Sequence, residues 1–368
     1  MRTVRRLFYV DIASAVVFVA IAFLALFFFI DFVDELRDVG RNGYTAAHAA
    51  AYSLLLAPGH LYELMPIAVL IGTIYGLARL AQTSQYTILR TGGLGPGRAL
   101  SLLASLALVF GAITFVVGDY VAPFSERIAS QLRAGFSGGL KLDRSGAWIK
   151  ERFSGPDGER NYSINVGSAE RGTLLRAVRI FEFDPDGRLV SRTSAAEADV
   201  GRDGTWALRD VTVTRWREAG IESTARDEHL AQSSWKSSLS PKVVAAAVLP
   251  VTTMSTVDLW HYIAHLADNE QAAQLQKIQF WNRALYPFVC LVMVGLALPF
   301  AYLHARSGGV TMKVFVGIML GVSFVLLNNV FRHLGLLGNW TPWLVAATPG
   351  ALYLALSLAA FSWLVRFR

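Results

Sequence analysis

Few residues in this sequence are spaced for covalent or metal chemistry. His261 and His265 stand four apart, on one face of any helix, and would make half of a metal site, but no third ligand lies near them. The run Gly92-Gly93-Leu94-Gly95-Pro96-Gly97-Arg98 resembles a phosphate loop only in its glycines. It lacks the Lys-Ser/Thr pair that reaches phosphate and magnesium, and no buried strand precedes it, so it reads as a helix terminator and turn. A single cysteine, Cys290, excludes an intramolecular disulfide and any multi-cysteine metal site. These residues predict no catalytic centre on this chain, and any energy source must come from elsewhere.

What remains are residues that pack or bind. Gly72 and Gly76 form one G-x-x-x-G pair and Gly317 and Gly321 another, a spacing that lets helices approach closely in lipid. The segment 81–93 predicts about three helical turns ended by glycine. There Tyr86, Leu89 and Arg90 lie near one another, with Gln82, Gln85 and Leu89 along an adjacent face. Such a helix either rests on a membrane surface or docks into a soluble motor, and the spacing alone favours neither.

The elements that must position these residues follow from where the charge sits. The chain has 368 residues, 17% of them charged, against about 25% in soluble proteins, and a net charge of +7. Residues 141–240 hold 16 basic and 16 acidic side chains, so the whole net charge lies in the apolar flanks. Two solvents are implied, lipid for the flanks and water for the middle. Apolar stretches at 12–30, 61–80, 99–117, 288–303, 314–330 and 343–365 approach the ~20 residues that cross a bilayer as a helix. Ten basic residues, Arg2 and Arg79 among them, fall on the side of the N-terminus, and three, Arg37, Arg41 and Arg332, on the other. The positive-inside rule therefore puts both termini in the cytoplasm and the charged segment outside. Asp31 and Glu63 sit at outer span ends, and the mid-depth acids an ion-coupled carrier needs are missing.

Within 141–240, short alternating runs such as 162–166, 177–183 and 211–216 predict half-buried antiparallel strands. Asp184-Pro185-Asp186-Gly187 and Gly201-Arg202-Asp203-Gly204 are turn signals between them. Six or more short strands predict a small sandwich or jelly roll. Such a domain could hold an extended or lipidic ligand, dock a partner through a sheet edge, or be purely structural. After it, Ser255 to Asp258 suggests a capping box ahead of an amphipathic helix at 259–266. The expected fold is an α-helical membrane protein, six transmembrane helices arranged 3+3 around an inserted antiparallel β-jellyroll. Its parts are 1–135 with three spans, 136–240 the β domain, and 241–368 a connecting helix with three more spans.

Several ordered segments carry a family resemblance. Gly76-Leu77-Ala78-Arg79-Leu80-Ala81-Gln82-x-Ser84, the Gly92 turn, Val121-Ala122-Pro123, Ala147-Trp148-Ile149-Lys150 and Trp235-Lys236-x-x-Leu239-Ser240-Pro241 resemble the LptF/LptG permeases of lipopolysaccharide export. The likeness spans essentially the whole chain and leans to the LptG branch through Phe32-Val33-Asp34 and the segment 235–241. It implies a heterodimer with an LptF sister permease around a lipopolysaccharide cavity, driven by a cytoplasmic LptB ATPase dimer. ATP and magnesium would then reside on that ATPase, with no cofactor on this chain. The jellyroll would pass lipid to LptC and the periplasmic bridge. The helix at 81–93 would couple to the ATPase through Gln82, Ser84, Gln85, Tyr86, Leu89 and Arg90. Gln85 stands where relatives carry a Glu, so a salt bridge becomes a neutral hydrogen bond. Asp31 stands where some relatives carry a basic phosphate contact. Arg37 and Arg133 match basic positions and are the expected phosphate contacts, with Asp31 and Asp34 beside them at the outer end of the first span. A non-transporting scaffold and an ion-coupled lipid carrier are the competing classes.

Overall fold

The computed structural model describes residues 2–83, 85, 88, 91, 96–137, 140–141, 147–155, 158–170, 174–201, 203–219, 222–237, 239, 244, 254–268, 273–302 and 309–366. Its helices and strands, in chain order, are α1 (Arg2–Glu35), α2 (Ala46–Gln82), α3 (Pro96–Val116), α4 (Ala122–Ser137), β1 (Leu140–Lys141), β2 (Ala147–Gly155), β3 (Gly158–Glu170), β4 (Leu174–Phe183), β5 (Leu189–Val200), β6 (Thr205–Ala219), β7 (Glu222–Lys236), α5 (Thr256–Asp268), α6 (Gln274–Ala297), α7 (Pro299–Tyr302), α8 (Val310–Leu337) and α9 (Pro342–Arg366). A 3-10 turn, Leu36–Asp38, follows α1, and a π-helical turn, Val117–Val121, joins α3 to α4.

Among the described residues six helices are long and apolar enough to cross a membrane: Tyr9–Asp38, Ala46–Gln82, Gly97–Arg133, Gln274–Ala297, Val310–Leu337 and Pro342–Ser362. Three precede the sheet and three follow it, and the chain is a multi-pass membrane protein with an inserted antiparallel β domain. The fourth helix lies earlier than the stretch 288–303. It ends at Ala297 because Pro299 has no N–H to continue it, and it begins at Gln274 because polar residues such as Lys277 and Arg283 still favour helix. Contacts divide the chain into two units, 1–35 with 53–125 and 274–368, and 36–52 with 126–273. The second unit takes in the loop after α1 and most of α4 besides the sheet.

In the first unit, Ile12 and Val16 of α1 and Leu70, Ile74 and Leu77 of α2 form a buried core with Leu103 of α3 and Met293 of α6. The helices touch at glycines. A Cβ on Gly72 would stand 2.6 Å from the Val16 backbone nitrogen, and one on Gly76 2.9 Å from the Ile12 side chain. On α8, Gly317 and Gly321 face Ile74 and Ile67 at 2.7 and 2.9 Å on the same construction. In a bilayer no hydrophobic force drives helices together, so such close backbone approach supplies the packing energy.

In the second unit the strands run as an antiparallel meander, β3 to β7 in order, with β1 and β2 both paired to β3 on one edge. The sheet is also folded along a crease. The pairing register passes over Gly167, Ala177, Ala196, Asp210 and Ala231, one residue on each of five successive strands. Ala177 and Asp210 have φ of 52° and 49°, outside the strand region. Gly167 lies where a Cβ would come within 2.9 Å of the Ala177 methyl. One non-strand residue inverts the two-residue alternation. Accordingly buried residues stand three apart across the crease: Leu175 and Val178, Ala195 and Ala198, Leu208 and Val211.

Folding brings strands that are not neighbours in the sheet into contact. Tyr162 of β3 packs edge-on against Trp235 of β7 at 5.4 Å, and the Ser237 hydroxyl donates to Glu151 of β2 at 2.6 Å. The predicted turns are present, with Gly187 at φ 80° and Gly204 at φ 79°. Strand β7 lacked a sequence signal because it buries neither face over 224–232, so its side chains need not alternate.

Helix α5 opens with the capping box. The Asp258 backbone N–H donates to Ser255 Oγ at 3.1 Å, Ser255 N–H donates to Asp258 Oδ2 at 3.4 Å, and Arg127 of α4 donates to the same oxygen at 2.8 Å. Burial alone would push the Asp258 carboxyl up, but the hydrogen bonds from Ser255 and Arg127 outweigh it and hold the group below its ordinary range. This contribution to stability is present above the ordinary carboxylate pKa and is lost as pH falls through the lowered one. Asp258→Ala is expected to destabilise the second unit by about 1–2 kcal/mol at neutral pH, read as a lower melting temperature in detergent, with the deficit shrinking on acidification. An unchanged melting temperature contradicts the capping role.

Candidate functional site

The densest charge arrangement described outside the sheet lies where the loop after α1 meets α4. Gly40 and Gly43, at φ 93° and 81°, and Asn42 at 48° let the loop turn tightly. Gly40 N–H donates to the Tyr44 carbonyl and Tyr44 N–H to the Arg41 carbonyl, both at 2.8 Å. The Asn42 side chain donates to the Phe136 carbonyl at 2.8 Å, and the Phe136 ring packs on Tyr44 and His48. These contacts fix the loop against the last turn of α4, one turn beyond Arg133.

Asp38 is then shared by two guanidinium groups. Arg41 donates to Oδ1 at 2.5 Å and Arg133 to Oδ2 at 3.2 Å. Arg133 also lies over the Tyr52 ring of α2, 5.5 Å from its centroid. Arg41 is 75% exposed, so its pair is solvent-screened and weak. The chemistry is that of an anion-binding pair, two planar donor forks able to meet a phosphate or carboxylate.

Of the residues expected at this rim, Arg133 enters the cluster, while Arg37 and Asp34 lie exposed on the 3-10 turn and the last turn of α1. Asp31 is held elsewhere. His60 Nε2 of α2 sits 2.7 Å from its Oδ2, and Phe27 stacks on the imidazole at 4.8 Å. Sequence reasoning missed Asp38, Tyr52 and His60, and counted Arg41 only for topology. The signal available was Asp38 three residues before Arg41, an ordinary local ion-pair spacing. It also missed Asp119, buried within the π-helical turn, a distortion frequent at functional sites.

At the opposite end of α2, Gln82 lies exposed at the helix terminus. Beyond it Gln85, Ile88 and Thr91 are helical and exposed, each three residues after the last, and the Thr91 hydroxyl donates to the Ile88 carbonyl at 2.9 Å. Ile88 is 66% exposed and is the apolar residue described on this face. Ser84, Tyr86, Leu89 and Arg90 lie outside the described residues, as does the glycine turn at 92–95. His261 is exposed and His265 half-buried on α5, and among the described residues no group of three metal-ligating side chains forms.

The chain matches the family described as lipopolysaccharide export system permease LptF/LptG over residues 6–363. It is 27% identical over 334 residues to the lipopolysaccharide export system permease protein LptG of Escherichia coli K12, covering 89% of each chain. To the LptG protein of Haemophilus influenzae it is 28% identical over 304 residues, covering 82% of each. With six helices long and apolar enough to span a membrane among the described residues, three before and three after the β domain in sequence, and matched almost end to end, the chain belongs to the LptF/LptG family of lipopolysaccharide export system permeases.

Proposed function

We propose that this chain is a permease subunit of an ATP-driven lipopolysaccharide transporter in the bacterial inner membrane. Its termini lie in the cytoplasm and its β domain in the periplasm, a reading supported by the ten-to-three distribution of basic residues near the span ends. It pairs with an LptF sister permease. Lipopolysaccharide leaves the outer leaflet of the inner membrane, its acyl chains held among apolar span faces and its phosphates by the cationic rim of Arg41, Arg133 and Arg37. It then enters the folded sheet and passes to LptC and the periplasmic bridge, towards the outer membrane. Hydrolysis belongs to an LptB dimer carrying ATP and magnesium, and this chain contributes no catalytic group. The helix bearing Gln82, Ser84, Gln85, Tyr86, Leu89 and Arg90, together with Ile88, transmits closure of that ATPase to the spans.

The match over residues 6–363, in register with the 3+β+3 layout, carries this reading. The test is purification of the full chain in mild detergent from its own host and identification of what co-elutes. An ATPase, a sister permease and bound lipopolysaccharide are expected. ATP turnover in reconstituted vesicles that does not depend on this chain would make it a scaffold instead.

A further inference from the structure

We infer that Asp38 is a built-in stand-in for a lipid phosphate: it holds the Arg41 and Arg133 guanidiniums together when no lipid is bound, yields them to a phosphate, and reclaims them on release. The inference rests on the reading above, in which these arginines face a phosphorylated lipid.

The geometry carries the argument. Each guanidinium takes a different oxygen of one carboxylate, Arg41 Oδ1 and Arg133 Oδ2, as two donors would share the oxygens of one phosphate. A phosphate monoester brings about −1.5 to −2 charges and three acceptor oxygens, against one charge and two oxygens for Asp38, so it wins the exchange. The pairs it displaces are weak, because the side chains of Arg41, Arg133 and Asp38 are 75%, 48% and 37% exposed. Removing Asp38 does not scatter the donors. Arg133 keeps its place over Tyr52 on a regular helix, and the Arg41 loop is tied to α4 through Asn42 and Tyr44. Asp38 therefore acts as a competitor of the lipid rather than as its anchor. It also supplies what a transporter needs and a tight binder does not, a counter-ion that receives the arginines when the lipid moves on.

The experiment uses the full-length protein in detergent micelles with two probes, lipid A carrying both phosphates and the same lipid A dephosphorylated. Asp38→Asn, nearly isosteric, is expected to tighten binding of the bisphosphorylated lipid about threefold to tenfold, with slower dissociation, and to leave the dephosphorylated lipid unchanged. Arg41→Gln with Arg133→Gln is expected to weaken the phosphorylated lipid about tenfold or more. If the double arginine variant weakens binding while Asp38→Asn leaves it equal or weaker, the stand-in role is overturned and the phosphate rim survives. If the double arginine variant binds the phosphorylated lipid like the unmodified chain, the rim itself is wrong and the inference falls with it. An equal change in both lipids on Asp38→Asn assigns the effect to folding and also overturns the role. Displacement of the lipid by micromolar inorganic phosphate would assign the pair to a free anion instead.

Discussion

Gly72→Leu is expected to abolish the native packing of α1 on α2. A Cβ there would meet the Val16 nitrogen at 2.6 Å and its Cα at 2.7 Å, so the clash is with backbone, and no side-chain rotation relieves it. Overpacking in well-packed interiors costs typically 1–3 kcal/mol, and a helix axis that must move as a whole lies at or beyond about 3 kcal/mol. Gly97, at the start of α3, has nothing within 4 Å of a Cβ and is the matched control. Gly72→Leu should lose most of its monodisperse fraction on size exclusion and melt far below Gly97→Leu. Similar behaviour of the two would mean that α1 and α2 do not depend on that contact.

Ile88→Asp is expected to detach the ATPase. On the proposed reading this exposed isoleucine, aligned with Gln85 and Thr91, enters a groove on the motor, where truncating or charging a buried apolar anchor costs about 2–4 kcal/mol. That corresponds to about thirtyfold or more in affinity, enough to remove the ATPase from a detergent-purified complex. Gln85→Ala removes only a neutral hydrogen bond, about 1 kcal/mol, and should leave the complex assembled. The readout is the amount of ATPase co-purified per permease, together with lipopolysaccharide-stimulated ATP turnover. Undiminished co-purification with Ile88→Asp would remove this face from the interface.

The layout of the fold was legible because lipid and water impose opposite compositions. The spans announced themselves by charge-free length and the sheet by two-residue alternation bounded by Asp-Pro-Asp-Gly and Gly-Arg-Asp-Gly turns. The end of α6 was misplaced because hydropathy is blind to a missing N–H at Pro299. Strand β7 was invisible since a ribbon exposed on both faces has no reason to alternate. The rim was half legible. Arg133 was found through family likeness, but its partner Asp38 lies 95 residues away, and contacts of Asn42, Tyr44 and His48 with Phe136 of α4 help bring the two together. Likewise the stray acid Asp31 became intelligible only when His60 was found beside it, 29 residues on. Local spacing reports helices and turns; long-range charge pairing is decided by how the loop closes.

The crease through Gly167, Ala177, Ala196, Asp210 and Ala231 gives the sheet a mechanical property that an unbroken ladder lacks. Folding a continuous sheet along a line across its strands means bending every strand sharply at once, which regular extended backbone resists. Here the bend is built into the chain, at φ 52° on Ala177 and 49° on Asp210, and the pairs registered on either side of the line stay intact. What holds the two leaves closed is the buried face between them, Tyr162 on Trp235, the Ser237 to Glu151 bond and the apolar side chains beneath. That is side-chain contact, so the leaves are held to one another by packing rather than by the backbone ladder. Closure of one leaf on the other is thus separated from the integrity of the ladder within each.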